Sequence, residues 1–163
     1  MKKILTIPKK ILEFIYTKNM NYFLVLLLIF SASCSRNLDA NSREILIDNG
    51  KNLVKVNAEI ADDSQERAKG LMFREKLDEN SGMFFIFENG EYETFWMKNT
   101  LIPLDIIFID NNLKIADIKY AVPCKEEPCN LYTPSKPAKY VLEVNGNFTA
   151  KNNIKPGDKI ILS

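Results

Sequence analysis

The sequence predicts a mainly β protein, one compact domain of the β-sandwich or jelly-roll kind with one short helix. Short runs rich in Val, Ile, Leu and Phe recur from residue 44 to the C-terminus, separated by breaks rich in Asn, Gly and Pro. Only one stretch carries a helix start signal. Many short strands joined by turn chemistry fit a sandwich or barrel better than a helical or alternating α/β fold.

The elements follow in order. Residues 53–60 (LVKVNAEI) alternate apolar and polar after the first pair, which predicts a half-buried strand. Asp63 followed three places on by Glu66 resembles a capping box, so a short helix is predicted over 65–72, weakened or ended by Gly70. Residues 83–87 (MFFIF) are apolar throughout and predict a strand covered on both faces. Asn89-Gly90-Glu91 reads as a turn into a strand over 92–97. Further strands are predicted over 104–110, 113–120, 139–144 and 159–162. Asn111-Asn112, Asn145-Gly146-Asn147 and Pro156-Gly157-Asp158 separate or bound several of them. There is no internal repeat.

The first 33 residues predict export. Lys2, Lys3, Lys9, Lys10 and Lys18 stand against one acid, Glu13, ahead of the apolar run 22–30 and the small residues Ser31-Ala32-Ser33. A basic region, a short apolar region and a small-x-small cut site make a secretory signal. A membrane span would need roughly 20 apolar residues, and Asn19 and Asn21 interrupt this run. Residues 29–34 (IFSASC) resemble a lipoprotein box, with Ser31 where Leu is usual, so Cys34 is the expected lipidation site and mature N-terminus. An ordinary signal peptidase cutting the same bond is the alternative, and Met20 is an alternative start. Residues 34–43 are expected to be a flexible tether. The predicted location is the periplasm or the outer face of a membrane, with the membrane itself a partner through the lipid anchor.

Composition narrows the chemistry. Removing residues 1–33 from 163 leaves 130, enough for one domain with its own core, read here over 44–163. The five lysines and one acid of the leader come off 22 basic and 21 acidic residues, leaving 17 and 20. No basic stripe stands out, so nucleic-acid binding is not expected. The chain has no histidine, which removes Ser-His-Asp triads, Cys-His pairs and His-ligated metals. No metal and no cofactor is predicted.

Three blocks carry a family resemblance: residues 67–74 (RAKGLMFR), 82–87 (GMFFIF) and 95–105 (FWMKNTLIPLD), continued by 140–143 (YVLE) and Gly157-Asp158. Together they resemble the family called domain of unknown function 192, over essentially all of 44–163. The resemblance implies a compact β-sandwich-like domain, often exported, with no established biochemical activity.

Two carboxylates are candidates for a site. Strand alternation puts Asp105 on the face of Ile107 and Ile109, and Glu143 shares a face with Val141 in an otherwise apolar strand. A carboxylate on an apolar face needs a partner, and Arg67, Lys98 and Asn99 are the candidates. Such a network suits a polar ligand pocket, and it equally suits a structural ion pair. Trp96 joins the ligand-binding candidates because its N–H needs a partner and it stands beside Lys98 and Asn99. Met72, Phe73, Phe84, Phe85, Phe87, Phe95 and Met97 suit either a pocket wall or plain core. Cys124 and Cys129 are expected to form a structural disulfide, since paired cysteines in an oxidising compartment usually bond. The C-x4-C spacing is not that of a thioredoxin-like dithiol, and two Cys without His cannot complete a structural zinc site.

The function expected is ligand binding or an accessory role in the cell envelope, for a small ligand or an envelope protein. One alternative is a hydrolase-type enzyme using Asp105 and Glu143 as acid and base, which needs both in one cleft. The other is a structural partner of an envelope complex, which predicts a large exposed apolar patch.

Overall fold

The computed structural model describes residues 41–162, so the predicted signal peptide, Cys34 and most of the tether lie outside the described residues. Nine strands and two short helices follow: β1 (Ser42–Asp48), β2 (Leu53–Ala61), α1 (Ser64–Lys69), β3 (Ser81–Glu91), β4 (Phe95–Trp96), β5 (Leu104–Ile109), β6 (Ile115–Ala121), β7 (Leu131–Tyr132), β8 (Ala138–Asn145), α2 (Phe148–Lys151) and β9 (Lys159–Leu162). The mainly β expectation holds. β1 begins at Ser42, so the last two residues of the expected tether are strand. Among the described residues no helix is long and apolar enough to cross a membrane.

Seven strands form one sheet in the order β6-β5-β8-β3-β2-β1-β9, and β4 pairs with β7 in a separate ribbon. The seven-stranded sheet curls on itself. Its two edges approach where Lys114 bridges to Lys159, and the Ile160 N–H donates to the Leu113 carbonyl at 2.8 Å. The architecture is therefore one curled sheet rather than two facing ones. It meets the physical need expected of a sandwich, an enclosed apolar face. Ile45, Ile47, Val56, Ala58, Phe84, Ile107, Ile109, Leu142, Val144 and Ile160 fill the concave side, with Phe148 of α2 packed into them.

The central strands are buried on both faces. On the convex side Met83 and Phe85 of β3, Leu104, Ile106 and Phe108 of β5 and Val141 of β8 form a second core. Two covers lie over it. The β4–β7 ribbon brings Phe95, whose ring meets Phe85 and Phe108 edge-on. The other cover is the β2–β3 connection, which contains α1 and brings Leu71 and Leu77. That connection is long because β2 and β3 pair in parallel, the one parallel pairing in the sheet, and parallel neighbours require a crossover.

α1 starts as the sequence predicts. The Asp63 carboxylate accepts the N–H groups of Gln65 and Glu66 at 2.8 Å each, and the Glu66 carboxylate returns to the Asp62 N–H. The helix stops at Lys69, short of the predicted residue 72, because Gly70 takes φ 48° and ψ −138°. Side chains clamp the crossover to the sheet. Arg74 forks onto Glu59 of β2 with two 2.6 Å bonds, and Asn145 of β8 donates to the Leu77 and Asp78 carbonyls. Beneath it Gly82 lets β3 approach β8, since a Cβ there would lie 2.4 Å from the Glu143 carbonyl oxygen.

Cys124 and Cys129 are bonded, with Cα atoms 5.4 Å apart.

Candidate functional site

Asp105 and Glu143 separate at the level of the sheet. In the β5–β8 register Asp105 stands opposite Val144, and Ile106 opposite Glu143. Alternation then sends the Asp105 side chain to the concave core and that of Glu143 to the convex one. The two carboxyls share no cleft, which removes the geometry an acid–base pair would need.

Asp105 is fully partnered. One carboxylate oxygen accepts the Asn147 N–H at 3.0 Å, and the other accepts the Thr149 N–H at 2.8 Å and its hydroxyl at 2.6 Å. These donors belong to the first turn of α2, whose own N-cap, Asn147, is left-handed and makes no side-chain cap bond. Asp105 thus caps a helix from a distant strand. The cationic partners expected for it, Arg67 and Lys98, are not its partners, and neither is Asn99. Two backbone N–H groups and a hydroxyl satisfy its oxygens instead.

Glu143 is the opposite case. It is 5% exposed, and among the described residues its side chain has no hydrogen-bond or ionic partner; its oxygens are not sealed from solvent. Burial pushes its pKa up from the ordinary 4.5 to about 8, so at neutral pH it is a carboxylic acid rather than a carboxylate. Its carboxyl lines a small cavity of about 40 Å³ walled by Arg67, Lys69, Gly70, Phe85, Trp96 and Thr100. The Thr100 hydroxyl, also without a partner among the described residues, lines the same space. A largely buried acid with no protein partner is left to water or a ligand in the space that it faces. A cavity of this size admits a water or a small polar group.

The crossover and the ribbon build the walls. Gly70 lies directly over the acid, so that a Cβ there would sit 3.8 Å from Glu143 Oε2 and 3.4 Å from the Phe85 ring. Arg67 donates to the Ile86 carbonyl at 3.0 Å and to the Asp62 carbonyl, and its guanidinium lies 5.4 Å from the Phe87 ring centroid. Trp96 is half exposed at the mouth. Lys98 lies 5.5 Å from its ring centroid and is held by Glu127 at 2.6 Å. Glu127 sits within the Cys124–Cys129 loop, so the disulfide loop helps to place Lys98 beside the mouth. Asn99 works through its backbone. Its carbonyl accepts the Phe73 N–H at 2.8 Å, and both residues have positive φ, 57° and 64°. A bulky residue in left-handed backbone is rare and marks strain that function often exploits. Phe73 is 65% exposed.

Of the six candidate ligand-binding residues, Arg67, Trp96 and Glu143 line one pocket, Lys98 and Asn99 flank it, and Asp105 faces away. Lys69, Gly70 and Thr100 carry no signal of a site in the sequence, because only the fold brings residues 67–72 and Thr100 over β8. Among the described residues no three His, Cys, Asp or Glu side chains cluster as metal ligands would.

The comparisons with known proteins agree with this frame. Residues 45–162 match the family model DUF192, described as Uncharacterized ACR. The chain is 32% identical over 124 residues to UPF0127 protein PH1112 of Pyrococcus horikoshii, covering 71% of this chain and 96% of that one. It is similar to the crystal structure of a protein of unknown function from Novosphingobium aromaticivorans, with TM-score 0.69 and 38% identity over 74% of this chain and 84% of the other. A second solved structure, from Sinorhizobium meliloti 1021, aligns with TM-score 0.68 and 33% identity over 74% of this chain and 92% of that one.

Proposed function

This chain belongs to the DUF192 family, and we propose that it is a non-enzymatic ligand-binding domain tethered in the cell envelope through Cys34. One observation carries the binding reading: a buried, unpartnered Glu143 lining a cavity whose walls come from three separate parts of the chain. Removing a carboxyl from water without a partner costs free energy, and packing alone would favour an apolar residue at that position. A ligand that hydrogen-bonds the acid removes the penalty. The rest of the wall is aromatic or apolar with a few polar groups, as small-molecule sites usually are.

Catalysis is the weaker reading. Glu143 is the only carboxyl lining its cavity, Glu59 on the same face of the sheet is engaged by Arg74, and Asp105 is committed to α2. The structural-partner alternative has one observation in its favour, the exposure of Phe73, Trp96, Leu101 and Leu131. These residues are lining residues of the pocket or their chain or strand-pair neighbours, which suits the mouth of a ligand site as well.

Trp96 is the only tryptophan of the chain, so its emission reports on the pocket. Titration of the wild type with a panel of small metabolites should find compounds that shift the emission, and Glu143→Leu should abolish the response while remaining folded. Equal responses in both proteins would refute a site at Glu143. For the tether, Cys34→Ser should move the protein from the membrane fraction to the soluble envelope fraction. A variant that stays membrane-bound would place the anchor elsewhere.

A further inference from the structure

The charged lining of the Glu143 cavity is one-sided. α1 contributes Arg67 and Lys69, and Glu143 is the only acid on the wall. β3 and β4 contribute only the rings of Phe85, Phe95 and Trp96, and the turn after β4 contributes Thr100. Lys98, beside the mouth, is already paired with Glu127. With Glu143 held in its acid form at neutral pH by burial, each polar residue lining the cavity can donate a hydrogen bond, although the Glu143 carbonyl and the Thr100 oxygen can also accept. The donors are the Glu143 O–H and the Thr100 O–H, with Arg67 and Lys69 of α1 lining the same space.

A lining with two basic residues, two hydroxyl donors and no second acid suits an anionic acceptor. An ammonium group would meet Arg67 and Lys69 with like charge, and Glu143 would have to lose its proton before receiving it. Size narrows the choice further. About 40 Å³ is room for about three waters, each needing roughly 10–15 Å³ of such space. Only a small planar head enters, and any larger body must lie outside. What lies outside is apolar: Trp96, Leu131 paired opposite it, Leu101 next to Thr100, and Phe73 held outward by its left-handed backbone.

We infer that the cavity receives the carboxylate head of an organic acid with an apolar body, with Glu143 and Thr100 donating to it beneath Arg67 and Lys69. The inference rests on the ligand-binding reading and names its ligand class. The head group and Glu143 share one proton between two carboxyls, so binding requires that proton. Affinity should fall by about tenfold for each pH unit above the Glu143 pKa.

The test uses the full chain with hexanoate, hexylamine and hexanol as matched probes, read by Trp96 emission and calorimetry at pH 6.5 and pH 9.5. Hexanoate is expected to bind at pH 6.5 and to weaken at least tenfold at pH 9.5, with hexanol markedly weaker at pH 6.5. Glu143→Gln keeps an N–H donor and should bind hexanoate with that pH loss removed. Hexylamine binding that tightens with rising pH would overturn the carboxylate assignment and leave the ligand-binding reading standing. Hexanol binding as well as hexanoate would overturn it too, in favour of an apolar groove alone. If no probe binds, the carboxylate assignment fails. The ligand-binding reading fails with it if Glu143→Leu also loses no response to any compound of the metabolite panel.

Discussion

Asp105 and Glu143 lie one step apart in the β5–β8 register and point to opposite faces of the sheet. That relationship assigns them different physics. Asp105 is buried and met by three donors from the N-cap and first turn of α2. Glu143 is buried, without a partner among the described residues, and has its pKa raised to about 8 by burial. The first ties α2 to the sheet, and the second lines a small cavity on the convex side.

Asp105→Ala should destabilise the protein by roughly 3 kcal/mol, because it leaves both Thr149 donors buried and the Asn147 N–H part-buried without an acceptor. Thr149→Val, which removes only the hydroxyl, should cost about 1–2 kcal/mol. Urea unfolding measures both. An Asp105→Ala variant as stable as the wild type would show that α2 does not depend on this remote cap.

Gly70→Ala should cost about 1–3 kcal/mol, since φ 48° with ψ −138° is a conformation other residues rarely hold. Its methyl group would also enter the space between Phe85 and Glu143. The variant should therefore lose the Trp96 response to pocket ligands even under conditions where it is fully folded. An unchanged response would place the ligand away from this wall.

Cys124 and Cys129 should be recovered as a linked peptide from unreduced protein by mass spectrometry. Closing so short a loop restricts the unfolded chain by about 2 kcal/mol in the chain-entropy model, so Cys124→Ser with Cys129→Ser should lower stability by that order and leave the sheet intact. Two freely alkylated thiols in unreduced protein would contradict the bond.

Much of this frame is legible in the sequence, and the gaps share one cause. Local signals read correctly: Asp63 and Glu66 start α1, and the unbroken apolar run at 83–87 belongs to a strand covered on both faces. Non-local ones do not. α2 goes unpredicted because its cap is Asp105, some forty residues upstream, while Asn145-Gly146-Asn147 alone reads as a turn. β3 runs through Asn89-Gly90 to Glu91, against the turn signal, because Glu91 still pairs with Ala138 beyond a register shift. β7 is two residues defined only by pairing with β4. The predicted strand at 92–97 shrinks to Phe95–Trp96 for the same reason. At the site, Arg67, Trp96 and Glu143 stand out as a cation, an aromatic and an acid in apolar surroundings. That Glu143 and not Asp105 faces them is decided by strand faces and by the crossover, and so is the approach of Gly70 and Thr100.

The most direct measurement is the stability of wild type and Glu143→Gln as a function of pH. Burial raises the folded-state pKa of Glu143 above its ordinary 4.5 to about 8, so between those values the folded chain keeps a proton that the unfolded chain has released. The stabilisation tied to that proton is complete below pH 4.5, declines as pH rises and is lost by about pH 8, with a slope of up to about 1.4 kcal/mol per pH unit. The amide does not titrate, and every other group is common to both proteins, so the difference between the two curves isolates this residue. The account predicts that Glu143→Gln gains on the wild type by several kcal/mol between pH 5 and pH 8.5. A difference that stays flat across that range would mean that Glu143 ionises as it does in water, and the buried acid on which the site is built would not exist.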